Sequence, residues 1–317
     1  MKLERKHLIA RVAYLYYVKG FSQDKISKNL NIYRTTVSRM LKQARDNSLV
    51  KVNIDIDQVN TDIFDLELKV KETFGLKNVL IVPTNNEDSD NEKDEKLAYE
   101  AALYLKQIIK PESIIGFSWG NILARMAGKL HNLSETSSVF VPLAGGPSSN
   151  NTTYHVNSIV YDASKHFGGQ GLYVNVSAIQ ESKLKKKQIM NSLEFYKIKE
   201  YWKKLDIAVV GIGGPLNSAA SSWRDLLSTE DFELLNDREV VGDCCCTFFD
   251  KYGKILRGDL WERTIAIPIE NLKNVKDSVG VARSLTKAPS LAVLMKMKIL
   301  NTLITDEETA RHILELI

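Results

Sequence analysis

The sequence predicts an α/β protein in which a small helical domain, residues 1–57, and a linker helix, residues 58–76, precede a Rossmann-like α/β domain, residues 77–317. Three observations predict this organisation. The 317 residues exceed what one hydrophobic core usually organises. Apolar residues have helical spacing through most of the first domain, whereas apolar strands alternate with helices from Val79 onward. Such alternation is typical of a parallel sheet covered by helices on both faces.

Three helices are predicted in the N-terminal domain. The first covers about residues 4–19, the second covers Gln23–Leu30, and the third covers about residues 34–47. Gly20 ends the first helix, and Ser22 is a good N-cap for the second. Two short helices joined by a three-residue turn match the requirements of a helix-turn-helix.

The exposed face of the third helix carries groups that contact DNA in such a motif. Hydroxyls can bind phosphates, and Arg34 or Arg39 can make a forked contact with guanine. The alternating pattern of residues 49–56 predicts a β-wing, so the domain is expected to be of the winged type. A helical dimerisation module is the alternative. The residues predicted to contact DNA are Ser22, Gln23, Tyr33, Arg34, Thr35, Thr36, Ser38, Arg39 and Lys42.

Charge is distributed unevenly along the chain. Residues 1–51 contain twelve Lys or Arg and three acidic residues, whereas the other 266 residues contain 31 basic and 36 acidic residues. A compact basic domain joined to a mildly acidic one is typical of a protein that binds a polyanion. A solvated basic surface helix is the alternative explanation for the charge alone.

Composition argues against several other classes of protein. No apolar run approaches the roughly 18 residues that a membrane span needs, and no signal-type segment follows the first residues. We therefore expect a cytoplasmic protein without a membrane partner. Cys244, Cys245 and Cys246 are predicted to be free thiols on alternate faces of a strand, because disulfides and zinc sites need separated cysteines. We predict no metal site and no cofactor.

Three loops rich in glycine or small residues follow predicted strands of the larger domain. They cover residues 116–121, 145–149 and 211–215. The carboxyl ends of parallel strands meet at one edge of a sheet, where ligands usually bind. Backbone amides and the Ser118 hydroxyl at the start of a helix can cradle a phosphate. The third loop lacks the full spacing of a dinucleotide fingerprint, so the loops together predict a cleft for a different small ligand.

Motifs in both domains resemble those of a known family. The first domain contains Ser-Gln-Asp-Lys-Ile-Ser at 22–27 and Ile-Tyr-Arg-Thr-Thr-Val-Ser-Arg-Met-Leu-Lys at 32–42. The second contains Ile-Gly-Phe-Ser-Trp-Gly at 115–120, Tyr-His-Val-Asn at 154–157, and Gly-Asp at 242–243. These motifs span nearly the whole chain. They resemble SorC-type sugar-responsive bacterial regulators, most closely the sorbitol/sorbose-operon branch.

The resemblance implies a second domain similar to the sugar-phosphate isomerase and CoA-transferase fold, without its chemistry. It implies a homo-oligomer, dimer or tetramer, whose affinity for operator DNA changes when a sugar phosphate such as sorbitol or sorbose phosphate binds. The phosphate would lie near residues 118–121 and Lys287. The effector-binding residues implied in this way are Ser118, Trp119, Gly120, Asn121, Gly145, Gly146, His155, Asn157, Gly213, Asp243 and Lys287.

Two positions depart from the family pattern. Some members have a lysine just before the double glycine, where it can form an imine with an aldehyde sugar, whereas this chain has Ala144. Covalent capture of the effector is therefore not expected. Relatives often have a double glycine after the late strand, whereas this chain has Arg283 and Ser284, which leaves the register of Lys287 open.

An enzymatic alternative comes from Gly-Phe-Ser-Trp-Gly at 116–120. This motif also fits the nucleophile elbow of α/β-hydrolases, with Ser118 as the nucleophile. Such an enzyme needs an acid and then a histidine later in the chain. Only His312 follows the candidate acids Asp206 and Asp243, and it lies in a predicted terminal helix rather than on a loop. We therefore expect a regulator rather than an enzyme.

Overall fold

The computed structural model describes residues 2–47, 49–50, 61–85, 87–130, 136–147, 154–216 and 226–317. The chain forms two compact units, which divide between Asn60 and Thr61. Most of the predicted β-wing, residues 51–56, lies outside the described residues. None of the described helices is long and apolar enough to span a membrane.

The described part of the smaller unit contains the helices α1 (Lys2–Ala13), α2 (Gln23–Leu30) and α3 (Arg34–Asp46). The helix α1 continues through a π-helical turn, Tyr14–Val18, before Gly20 adopts a φ of 66°. The predicted N-cap of α2 is confirmed, because the Ser22 side chain accepts a hydrogen bond from the Lys25 amide.

One apolar core joins the three helices of the smaller unit. Val12 from α1, Ile26 from α2, and Val37 and Ala44 from α3 are completely buried in it. Asn31 ends α2 in the left-handed conformation, with a φ of 52°, and α3 begins three residues later. The apolar residues with helical spacing in this unit therefore meet in one core.

The larger unit is built on a parallel sheet of seven strands, which confirms the predicted α/β class. The sheet strands are β1 (Asn78–Val82), β2 (Ile114–Phe117), β3 (Val139–Pro142), β4 (Gln170–Gly171), β5 (Ile207–Gly211), β8 (Asp277–Val281) and β9 (Thr302–Asp306), while β6 (Val240–Cys244) and β7 (Thr247–Asp250) form a separate antiparallel hairpin. The spatial order is β1-β9-β8-β5-β2-β3-β4. Every residue of β8 and β9 is buried, as expected for strands covered on both faces.

Helices connect the strands of this sheet. Those in the described part of the larger unit are α4 (Thr61–Phe74), α5 (Asp90–Ile108), α6 (Asn121–Ala127), α7 (Val156–Phe167), α8 (Lys183–Met190), α9 (Leu193–Trp202), α10 (Thr229–Asp237), α11 (Asp259–Arg263), α12 (Ala288–Lys296) and α13 (Glu307–Glu315). Because the seven strands are parallel, the segments that follow β2, β5 and β8 meet at the same edge of the sheet.

The helix predicted to link the two domains is an integral part of the larger unit. Its apolar stripe of Ile63, Leu66, Val70 and Phe74 is buried in the core of that unit. The helix α4 packs against β1 and α13. The sequence predicted this helix, but local spacing could not indicate that the edge strand β1 covers its apolar stripe.

The prediction of one strand through the three cysteines is wrong. Cys244 ends β6, whereas Cys245 and Cys246 form the turn to β7, with φ of 49° and 56°. Tight hairpins often need positive φ at both turn residues, which Asn and Gly normally supply. Because cysteine is not a typical turn residue, the three consecutive cysteines indicated a continuous strand rather than a hairpin turn. All three cysteines are buried and free.

Candidate effector cavity and DNA-contact surface

A cavity of about 390 Å³ lies where β2, β5 and β8 end, beside the tip of the β6–β7 hairpin and the start of α5. Seven residues predicted to bind the effector line it: Ser118, Trp119, Gly120, Asn121, Gly213, Asp243 and Lys287. Other lining residues, which the sequence did not assign to the site, include Asp90, Asp94, Tyr154, Cys245, Cys246, Arg283 and Thr286. The volume and the mixed polar lining suit a small polar ligand.

The loop after β2 brings backbone amides and a hydroxyl to the cavity. The Ser118 hydroxyl oxygen accepts a hydrogen bond from the Gly211 amide at 2.9 Å, and the Ser118 amide donates to the Val209 carbonyl. Only 3% of Ser118 is exposed. Gly120 follows with a φ of 146°, and α6 begins at the exposed Asn121. Amides in the first turn of a helix have no carbonyl partner within it, so they can bind an anion.

The Asp243 carboxylate is held against the loop that follows β5. Its Oδ2 accepts a hydrogen bond from the Cys246 amide at 3.2 Å, and the Asp243 carbonyl accepts one from the Gly213 amide at 2.9 Å. A Cβ atom at Gly213 would lie 1.9 Å from Asp243 Oδ1, so a larger residue would displace the carboxylate. A carboxylate fixed in this way can accept hydrogen bonds from sugar hydroxyls.

The structure places Lys287 among the residues that line the cavity, on the segment that follows Arg283 and Ser284. Burial lowers the pKa of the Lys287 ammonium, and the Arg283 cation adds to this effect, while the Asp243 and Asp94 carboxylates oppose it. The ammonium forms no hydrogen bond or ion pair with a described residue. An incoming phosphate can therefore stabilise this cation.

Arg283 and Ser284 connect β8 to the segment before α12. The Arg283 guanidinium donates through Nε to Asp94 Oδ1 at 2.5 Å and through Nη2 to Asp90 Oδ1 at 2.8 Å. Ser284 has a φ of 124°, a conformation that glycine adopts without strain. The hydrogen bond from the Ser284 amide to Thr309 Oγ1 helps to hold it there. This conformation explains why glycine suits the position in the family pattern.

Four residues predicted to face the sugar do not line the cavity in the described part of the chain: Gly145, Gly146, His155 and Asn157. Several of their polar groups already have partners. The Gly145 amide donates to the Ile265 carbonyl, and the Asn157 side chain bonds to both the amide and the carbonyl of Val174. The Trp119 indole donates to the Gly145 carbonyl at 3.0 Å. These residues therefore brace the loops around the cavity.

His155 has a structural role at the start of α7. Its Nδ1 accepts a hydrogen bond from the Asn157 amide, and a Cβ atom at Gly146 would lie 2.1 Å from its Nε2. Burial lowers the pKa of His155, which favours the neutral ring. No cluster of three or more His, Cys, Asp or Glu side chains that could hold a metal ion occurs among the described residues.

The residues predicted to contact DNA lie at the start of α2, on α3 and just before α3. Exposed members are Ser22, Tyr33, Arg34, Thr35, Ser38, Arg39 and Lys42, whereas Gln23 and Thr36 are half-buried. Arg34 Nε lies 3.4 Å from Asp24 Oδ1 in an exposed ion pair. The outer surface of α3 thus presents cations and hydroxyls to solvent.

Comparison with known proteins relates both surfaces to one family. The family model described as "Putative sugar-binding domain" matches residues 58–315. The sorbitol operon regulator of Klebsiella pneumoniae is 33% identical over 97% of this chain and 98% of its own length.

The crystal structure of the full-length sorbitol operon regulator SorC from that organism matches with a TM-score of 0.77, at 31% identity over 97% of this chain and 98% of that chain. A crystal structure of a transcriptional regulator from Streptococcus pneumoniae TIGR4 also has a TM-score of 0.77, at 40% identity over 81% of this chain and 98% of that chain. The chain therefore belongs to the SorC-type family of sugar-binding transcriptional regulators.

Proposed function

We propose that this protein regulates transcription of a sugar-utilisation operon. It binds operator DNA as a homo-oligomer through a winged helix-turn-helix that contains α2 and α3. It binds a phosphorylated sugar or sugar alcohol in the cavity of the Rossmann-like larger unit. The relative named sorbitol operon regulator makes sorbitol and sorbose phosphates the first candidates.

One observation carries the effector proposal: the Lys287 ammonium, without an ion pair to a described residue, lies near the fixed Asp243 carboxylate. These groups match a ligand with one anionic end and several hydroxyls. The amides at the start of α6 are further phosphate donors. Trp119 and Tyr154 stack with ring centroids 6.4 Å apart beside the cavity, where their faces can pack against the carbon skeleton of a sugar.

The surface of α3 supports the proposal of operator binding. In a helix-turn-helix the second helix enters the major groove. Arg39 suits a forked contact with guanine O6 and N7, whereas Ser38 and Lys42 suit contacts with the phosphate backbone. The excess positive charge of residues 1–51 attracts the duplex independently of its sequence.

The two activities must be coupled through the oligomer. Paired recognition helices match successive major grooves when they lie about 34 Å apart. An effector that binds better to one arrangement of the protomers shifts the population toward it and thereby changes operator affinity.

The hydrolase alternative is not supported. The Ser118 hydroxyl is buried and accepts a hydrogen bond from the Gly211 amide, and Ser118 lacks a positive φ. No histidine lines the cavity among the described residues. His312 is on α13, where it contacts Glu315. We therefore propose ligand binding without catalysis.

A pair of measurements tests the proposal. A thermal-shift screen against hexose, hexitol and pentose phosphates should find a ligand that raises the melting temperature, because a ligand that binds only the folded state stabilises it. The unphosphorylated form of each compound is its matched control. Fluorescence anisotropy should then show preference for a promoter fragment over random duplex at physiological ionic strength, and a change when the ligand is added. Equal binding to both duplexes would rule out the proposed function.

A further inference from the structure

The charged groups that line the cavity include more carboxylates than cations. Among the described lining residues, three carboxylates, those of Asp90, Asp94 and Asp243, accompany two cations, Arg283 and Lys287. The formal charge of this lining is −1, so a dianionic phosphate meets net repulsion. Movement of one carboxylate away from the cavity would therefore raise its affinity for phosphate.

Arg283 is the cation with the largest number of acidic partners in the cavity. Its side chain is only 10% exposed. Nε bonds to Asp94 at 2.5 Å and Nη2 bonds to both the carboxylate and the carbonyl of Asp90 at 2.8 Å. Nη1 lies 3.9 Å from Asp306 Oδ2, beyond hydrogen-bond distance. Nε and Nη2 of the guanidinium therefore form hydrogen bonds with acidic residues, whereas Nη1 forms none with Asp306.

The two bonded carboxylates differ in how tightly they are held. The Asp94 side chain is 25% exposed, whereas that of Asp90, the first residue of α5, is 92% exposed. Water solvates the exposed Asp90 carboxylate well once it leaves Arg283, so the carboxylate loses little by separation. An anion that reaches Arg283 can therefore replace Asp90 more easily than Asp94. The planar fork of arginine matches two phosphate oxygens as well as it matches a carboxylate.

We propose that Arg283 is a second ligand of the effector phosphate, beside Lys287, and that Asp90 occupies its guanidinium until the phosphate displaces it. This inference rests on the proposed function, because it concerns the same cavity. Once Asp90 turns into solvent, two carboxylates and two cations remain in the lining. Arg283 is then a specificity-determining residue, because only an anionic group on the ligand can compete with Asp90 for the fork.

The experiment is a titration of the full-length protein with inorganic phosphate and with a hexitol phosphate, followed by calorimetry. Asp90→Asn should raise the affinity for both about fivefold, because the carboxylate that competes for Arg283 is lost. Asp62→Asn is the matched control, since Asp62 is an exposed aspartate in the first turn of α4 and does not line the cavity. It should leave both affinities unchanged. Arg283→Gln should lower both affinities about tenfold.

The decisive variant combines Asp90→Asn with Arg283→Gln. If Asp90 acts by occupying Arg283, its removal should have no effect in the Arg283→Gln background. A fivefold gain that persists there would mean simple repulsion between Asp90 and phosphate, and it would overturn the proposal. Unchanged affinity in Asp90→Asn alone would overturn it too, while leaving the proposed effector site intact. If neither the wild type nor Asp90→Asn binds either phosphate, the proposed effector class fails together with this inference.

Discussion

The two surfaces proposed to bind phosphate groups use positive charge in different ways. On α3, Arg39 and Lys42 are exposed, and neither forms an ion pair with a described residue. In the cavity, Arg283 bonds to two carboxylates, and Lys287 is half-buried with two carboxylates near it. Arg39 and Lys42 on the first surface therefore carry uncompensated charge, although Arg34 on the same helix pairs with Asp24. The cations of the second surface already face acids.

This difference indicates what each surface can recognise. Exposed and uncompensated cations attract any polyanion, and their contribution decreases steeply as salt increases. Cations that already face carboxylates bind only a ligand that makes better contacts than those carboxylates do. Salt also screens partly buried ion pairs less than exposed ones. Operator affinity should therefore depend strongly on salt concentration, and effector affinity should depend on it weakly.

The largest effect is expected when a negative charge is added to the cavity. Ser118→Glu places a carboxylate near the proposed phosphate position, and repulsion at about 4 Å costs about 4 kcal/mol at an intermediate dielectric, roughly a thousandfold in affinity. Calorimetry with the effector measures this loss. Because Ser118 is buried, Asn121→Asp tests the same repulsion at an exposed position of the lining. Both variants should retain operator affinity without effector, and an unchanged effector response in Asn121→Asp would contradict the assigned phosphate position.

A smaller loss is expected when the cation itself is removed. Lys287→Met should weaken effector binding by about 1.5–3 kcal/mol, because a hydrogen bond to a charged group is lost. The same change should stabilise the effector-free protein by roughly 0.5–2 kcal/mol, since burial disfavours the charge that methionine lacks. Calorimetry and urea unfolding measure the two effects. Lys296→Met, at an exposed position of the neighbouring α12, is the control and should leave effector binding unchanged.

Replacing one residue of α3 should change operator affinity by as much as, or less than, Lys287→Met changes effector affinity. Arg39→Ala should lower operator affinity by roughly 1–3 kcal/mol and relax the preference for one base, while effector binding stays intact. Lys42→Ala should weaken binding to all duplexes similarly and reduce the salt slope by about one unit. Anisotropy titrations at several salt concentrations separate the two outcomes. Unchanged operator affinity in Arg39→Ala would exclude it as a base contact.

The smallest effect is a pH dependence of effector binding. Burial lowers the pKa of Lys287 below its ordinary value of 10.5, so the ammonium loses its proton at a lower pH than an ordinary lysine does. Effector affinity should therefore decrease as the pH rises toward that ordinary value, whereas Lys287→Arg should retain its charge and its affinity. Identical pH profiles for the two proteins would show that Lys287 does not contact the phosphate.

The sequence predicted those features that depend on neighbouring residues. The Ser22 cap and the buried stripe of α3 arise from residues at most a few turns apart, and the loop that follows β2 is continuous in the chain. The sequence missed the contact between Arg283 and Asp94, because these residues are separated by 189 positions and only the fold brings them together. The family resemblance also implied that Gly145 and His155 line the cavity. In the structure both residues form hydrogen bonds within the neighbouring loops and are not among the lining residues.

By itself, the amino-acid order determined the α/β class, the basic N-terminal domain and the small-residue loops at the carboxyl ends of strands, because each depends on local spacing or on composition. The tertiary structure alone decided that α4 belongs to the larger unit, that two cysteines form a hairpin turn, and that carboxylates from α5 face the cations after β8. The physical reason is that burial and charge compensation depend on distances in space. The order of the strands in the sheet sets those distances, and no short stretch of sequence specifies that order.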